Sequence, residues 1–127
     1  MQVDSVSPER ILFSGQATMV ITRTLDGEIA FQPNHAPFLA ALTENHTRIY
    51  EEGGNVVHVA VHGGFVEVSN NKVSVLSDVA ELADQIDVTR AQAARDRAEE
   101  ALRREQTTEA TAALNRAEAR LAAAGRN

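Results

Sequence analysis

The chain has 127 residues, of which 43% are apolar, 24% charged and only 4% aromatic, with no cysteine. That length and balance suit one compact domain, or a small domain with an appendage, and a core built from Val, Ile, Leu and Ala; disulfide frameworks, thiolate metal sites and cysteine nucleophiles are excluded. The net charge of −6 is uneven: residues 1–86 hold four Lys/Arg against eleven Asp/Glu, while residues 87–127 hold eight Arg against seven acids, and so acidic a body argues against nucleic acid as a partner.

The first two thirds read as short strands broken by turns. "MQVDSVS" alternates, "RILFSG" follows Pro8, and "ATMVITRT" runs to a turn at Leu25–Gly27. The Asp26-Gly27 pair there is a hairpin signal, since both residues tolerate positive φ. Next come "EIAF", a proline-bounded loop "QPNHAPF", a short apolar piece "LAAL", and "HTRIYEE" before a turn at Glu52–Asn55. "VVHVAVH", "FVEVS" and "KVSVL" complete the series, separated by Gly63–Gly64 and Asn70–Asn71. In the last of these, alternation puts Phe65, Glu67 and Ser69 on one face and Val66 and Val68 on the other. About ten such segments with no helix between them imply an antiparallel β-sandwich or flattened barrel over residues 1–84, because a parallel sheet would need crossover helices.

Residues 85–127 change character to Ala, Arg, Glu and Leu. Asp87 is a helix N-cap, helix propensity is high from Arg90 through Arg104, and "EQTT" at Glu105–Thr108 breaks the run and caps a second helix. That helix runs from about Glu109 to Ala123, with Gly125 in its C′ region. So short a connection predicts an antiparallel hairpin. Its seams are Ala91, Ala94, Ala98, Ala101 and Leu102 on one helix, and Ala110, Ala113, Leu114, Ala117 and Leu121 on the other. At ~25 cal/mol per Å², alanine methyls hold far less than leucines, so the hairpin is expected to dock weakly and to be able to open.

The arginines flank these seams. Arg90 and Arg97 share one helical face, as do Arg116 and Arg120. Guanidinium forks bind phosphate oxygens through paired, charge-assisted bonds, and a folded hairpin would bring the four toward one place. From spacing alone, a solvated face with ion pairs such as Arg95–Glu99 is the reading to prefer for them. No Gly-x-x-x-x-Gly-Lys-Ser/Thr loop and no Ser-His-Asp spacing is present, so an enzyme is not expected. His58 and His62 fall on the same strand face, but with no third ligand they read as surface histidines rather than a metal site. No apolar run approaches the ~20 residues that cross a bilayer, and "MQVDSVSPER" lacks the basic and apolar regions of a secretory signal. A cytoplasmic protein, peripheral to a membrane at most through a partner, is the expectation.

The order and spacing of "VSPERILFSG", "GEIAFQPNHAPFLAAL", "GGFVEVSNNKVSVLSDVAE", "IDVTRAQAARDRAEEAL" and "NRAEARL" span the chain, and together they resemble the ε subunit of bacterial ATP synthases. Departures are local: Ala30-Phe31 stands where Gly-Ile is common, Asn34 for a usual Gly, and His62 for a frequent Ser. The resemblance implies a ten-strand sandwich followed by an αα-hairpin. It implies a non-catalytic central-stalk rotor component of the proton-translocating enzyme, at the cytoplasmic face of the cell membrane, whose sandwich grips the γ subunit and the c-ring. Glu28 and His35 match positions of the loop region facing that ring; otherwise they read as a surface carboxylate and a loop-ordering histidine. "IDVTRA" resembles the motif of ε subunits that bind ATP in the folded hairpin. Carried over, that site includes Glu81, Ile86, Asp87, Arg90 and Ala91, with Arg97, Arg116 and Arg120 at the helical arginine positions. It implies regulatory ATP, with or without magnesium, and no required cofactor or metal. Extended, the hairpin would reach the α/β catalytic head and inhibit hydrolysis. The alternative is a purely structural stalk module that senses no nucleotide.

Overall fold

A computed structural model describes residues 1–125, so 126 and 127, at the end of the expected helical domain, lie outside the described residues. Strands β1 (Gln2–Ser7), β2 (Arg10–Thr24), β3 (Gly27–Phe31), β4 (Phe38–Ala41), β5 (Asn45–Glu51), β6 (Val56–Ser69) and β7 (Lys72–Leu82) come first. A 3-10 turn at Ala83–Gln85 then leads into helices α1 (Val88–Arg104) and α2 (Thr108–Ala123). This is the expected sandwich followed by a two-helix hairpin, built from seven strands rather than ten. Two of the expected breaks do not occur, because the chain continues as strand from Arg10 to Thr24 and from Val56 to Ser69.

The glycine pair inside β6 explains the second continuity. Before it the core-facing residues are Val59 and Val61, and after it Val66 and Val68, so the buried parity switches across Gly63–Gly64. Gly64 has φ +109°, and a Cβ placed on it would lie 2.0 Å from the Leu76 carbonyl oxygen. Glycine alone lets the strand turn over while its backbone stays that close to β7. In β2, a register irregularity between Ala17 and Met19 marks where the strand leaves β1 for β5.

Long strands therefore serve both layers. The first half of β6 pairs with β5 and the second half with β4, while β7 follows β6 along most of its length. β1, β7, β6, β5 and β2 close a circuit, with β3 and β4 attached at its sides. Val3, Val20, Phe31, Ile49, Val66 and Val75 are fully buried within it. One pair departs from the antiparallel expectation, since β1 runs parallel to β7. No crossover helix is needed because the whole intervening sandwich is the connection.

The hairpin caps are local and strong. Asp87 Oδ1 accepts the Arg90 N–H at 3.0 Å, and Thr107 Oγ1 accepts that of Ala110 at 3.0 Å. Gly125 follows α2 with φ +75°. α2 is the middle layer, packing on α1 and also on β5 and β6. Its buried residues are Ala110, Ala117 and Leu121 from the expected stripe, together with Ala119 and Ala123, which a single-seam reading missed. α1 buries only Ala91 and Ala98; Ala101, expected in the seam, is exposed because one neighbouring helix covers only a narrow strip.

Candidate functional site

Where β7, the 3-10 turn and the two helices meet, a pocket of about 360 Å³ is lined by Glu81, Gln85, Asp87, Arg90, Ala91, Ala94, Arg97 and Arg120. Each arrives for a local reason. Asp87 is held by its capping bond, and Arg90, Ala91, Ala94 and Arg97 follow at helical three- and four-residue steps along α1. Glu81 lies at the end of β7 opposite Ala60 of β6, and Arg120 lies one turn before the end of α2. Glu81, Asp87, Arg90, Ala91, Arg97 and Arg120 of the sequence-predicted set thus come together.

Two members of that set do not line the pocket. Ile86 is buried against Ala60, Ala123 and Ala124, where it pins the turn to the sandwich. Arg116, a turn before Arg120 on α2, is only partly exposed and falls outside the lining. Three guanidiniums converge rather than four. Gln85 and Ala94 were missed; Ala94 follows from the α1 spacing, whereas Gln85 has no local signal. Its Oε1 accepts from Arg10 and, at 3.3 Å, from the Leu82 N–H, so a distant strand orients it.

The pocket is electrostatically engaged. Arg120 Nε donates to Glu81 Oε1 at 2.6 Å, and His62 Nε2 lies 3.1 Å from that same oxygen. Partial burial pushes the Glu81 carboxyl up, but the Arg120 bond and charge, with His62 behind them, outweigh it and hold the group below the usual carboxylate range. Two carboxylates and three guanidiniums leave an excess of one positive charge. Such a site can hold a polyanion, either on Arg90 and Arg97 or by drawing Arg120 away from Glu81. No nucleophile and base stand together in it.

The histidines depart from the surface reading. His62 is 6% exposed, and its Nδ1 lies 2.7 Å from Glu44 Oε2. His58 is engaged instead with His46, Nδ1 to Nε2 at 2.7 Å. Burial first, then the neighbouring His58 and Arg48, bring His46 down to about 4. Among the described residues no group of three or more His, Cys, Asp or Glu is arranged to hold a metal ion.

Glu28 and His35 lie elsewhere on the sandwich. Glu28 Oε2 is 2.9 Å from Arg48 Nη2, beside an open cleft of about 930 Å³ that reaches Arg95 and Leu121. The His35 ring meets the Phe31 ring edge-on at 4.9 Å, and its Nδ1 is 2.7 Å from the Ala36 carbonyl oxygen, which orders the loop after β3. A feature not read from the sequence crosses the outer face of the other layer. Ile11 pairs with Val6, Val6 with Leu76, Leu76 with Phe65, and Phe65 with Ala41, forming one apolar row over five strands. Ile11, Phe65 and Leu76 in that row are 68%, 54% and 47% exposed.

Comparison with known proteins places this architecture. The model of the ATP synthase delta/epsilon chain beta-sandwich domain matches residues 1–83, and that of the delta/epsilon long alpha-helix domain matches residues 84–125. The ATP synthase epsilon chain of Brevibacillus brevis is 52% identical over 80% of this chain and 77% of its own length. Those of Symbiobacterium thermophilum and Streptomyces griseus are 45% and 40% identical, over 98% and 97% of this chain and 93% and 94% of their own lengths. A chain of the Euglena gracilis mitochondrial ATP synthase superposes with a TM-score of 0.71 at 19% identity, covering 94% of this chain and 73% of that one. The last likeness concerns the fold alone. With both family models matched in order and relatives aligned over nearly the whole length, the chain belongs to the epsilon-chain family of ATP synthases.

Proposed function

We propose that the chain works as a non-catalytic ε subunit in the central stalk of a proton-translocating F-type ATP synthase, peripheral at the cytoplasmic face of the cell membrane. The apolar row through Leu76 and Phe65 suits a lasting protein partner, which is the γ subunit in this reading. In this reading Glu28, at the start of β3, and His35, in the loop after its far end, are the positions that meet the c-ring. The hairpin regulates hydrolysis: docked it is stored on the sandwich, and released it extends toward the α/β head and obstructs rotation.

One observation carries the sensing part of the proposal. The pocket draws Glu81 from β7, Asp87, Arg90 and Arg97 from the start of α1, and Arg120 from α2. A polyanion held there touches both helices and the sandwich, so it binds only the docked hairpin and shifts the population toward it. ATP, with or without magnesium, is the ligand; with no phosphate loop beside it, it is bound and not hydrolysed. A second reading rests on the Glu81–Arg120 ion pair, which closes the pocket without any ligand and would suit a hairpin with a mechanical role alone.

A backbone-amide NMR titration of the full chain with ATP separates the two. Saturable shifts at Glu81, Asp87–Ala91, Arg97 and Arg120 are expected. Loss of a charge-assisted bond in Arg120→Ala should weaken binding about tenfold or more, while Arg116→Ala, outside the lining, should leave it within about twofold. Shifts that never saturate, or equal losses in both variants, would leave the structural module.

A further inference from the structure

The apolar row through Ile11, Val6, Leu76, Phe65 and Ala41 crosses five strands, so at ~4.8 Å per strand it is about 19 Å long. On one side the next row of the same face is Ser14, Asp4, Ser74, Glu67 and Leu39. On the other side Asp78 follows Leu76 by two residues, with its carboxylate over Gly63. Glu9, in the turn before Ile11, shares a recess with Asp78. Glu9, Glu67 and Asp78 are exposed, and none of them makes an ion pair among the described residues.

The sandwich has little to offset them. Residues 1–86 contain four Lys/Arg. Lys72 is engaged with Asp4 at 3.1 Å, and Arg10 with Gln85. Arg23 and Arg48 line the cleft beside Glu28 on the other layer. An exposed apolar strip is thus bordered on both sides by unpaired negative charge.

We propose that these carboxylates select what covers the row: a protein whose own apolar stripe is edged on both sides by Lys or Arg. Three kinds of occupant would bury Ile11, Leu76 and Phe65. A bilayer surface with anionic lipid repels the carboxylates that would have to enter its headgroup layer. A second copy of this chain, turned onto the row about a twofold axis, sets acid against acid in either orientation, because both borders are acidic. A partner with basic borders gains at each edge. Charges at such a rim act on the rate of encounter and on the rejection of wrong partners, while the apolar strip between them supplies the lasting hold. The proposal rests on the reading in which the γ subunit covers this face, and it adds what that surface of γ must carry.

The test measures association and dissociation rates of the full chain with purified γ subunit, at about 20 mM and about 300 mM salt. For the parent, association should slow about tenfold across that range. Glu9→Gln, Glu67→Gln and Asp78→Asn combined should associate about tenfold more slowly than the parent at low salt and lose most of the salt dependence, with dissociation within about twofold. Asp96→Asn, Glu99→Gln and Glu100→Gln combined remove the same charge from α1, which packs on α2 and away from this layer, and should keep association within about twofold. If Leu76→Glu weakens binding while the two triple variants associate alike, the proposal is overturned and the γ reading stands. The same holds if association of the parent does not slow with salt. If Leu76→Glu binds as tightly as the parent, γ does not cover the row and both are overturned.

Discussion

Replacing Leu121 by alanine tests whether the hairpin is held to the sandwich by little more than one large side chain. Leu121 is fully buried, and the other buried residues of α2 are all alanines. Removing a buried leucine down to Cβ costs ~2–5 kcal/mol, depending on how far the site collapses. α2 can settle toward β5, so a value near ~2.5 kcal/mol applies, which lowers the docking constant about 70-fold. Hydrogen exchange resolved by peptide is the assay. Amides of α1 and α2 should exchange faster by about that factor, while peptides from β1 and from the second half of β6 keep their protection. The exposed Ala101→Ser serves as a control and should change little. If sandwich and hairpin lost protection together, they would form one cooperative unit and the weak-seam reasoning would be refuted; if neither changed, Leu121 would not anchor α2.

Gly64→Ala puts a methyl where the Leu76 carbonyl oxygen is 2.0 Å away, so a loss of at least ~3 kcal/mol in urea unfolding is expected, against ~1 kcal/mol for Gly27→Ala, where nothing lies within 4 Å. Equal midpoints for the two would contradict the close β6–β7 approach. His46 titrates at about 4 in the fold against an ordinary 6.5. Its contribution is therefore complete above 6.5 and is lost as pH falls through about 4, by up to roughly 3 kcal/mol. Urea unfolding of His46→Asn should lack that part of the acid dependence, and an unchanged profile would reassign it. Leu76→Glu, in the middle of the apolar row, should leave thermal stability nearly unchanged and weaken binding to purified γ subunit more than about tenfold; equal affinity would move the partner to another face.

Much of the framework was legible because its signals are local. The positive φ at Asn34, Asn70, Asn71 and Gly27 follows from residue type, and the caps at Asp87 and Thr107 act within three residues of themselves. The steps from Arg90 to Arg97 likewise put one side of the pocket on one helical face. A strand's continuation is a different matter. Gly63–Gly64 reads as a turn from residue type, yet β7 beside it lets β6 turn over and continue. The parallel β1–β7 pair is set by which strand ends meet in space.

By itself the sequence determined a strand-rich body, a capped alanine hairpin and a surplus of arginine in the tail, since periodicity, turn chemistry and charge are properties of neighbours along the chain. Only the tertiary structure decided that Arg120 and not Arg116 enters the pocket, although both lie on one face of α2, because Glu81 stands beside the last turn and not the one before it. It also decided that His62 is buried between Glu44 and Glu81, residues 18 and 19 positions away. Contacts between residues that far apart depend on which strands lie side by side and on the helix laid over them, and no local pattern carries that information.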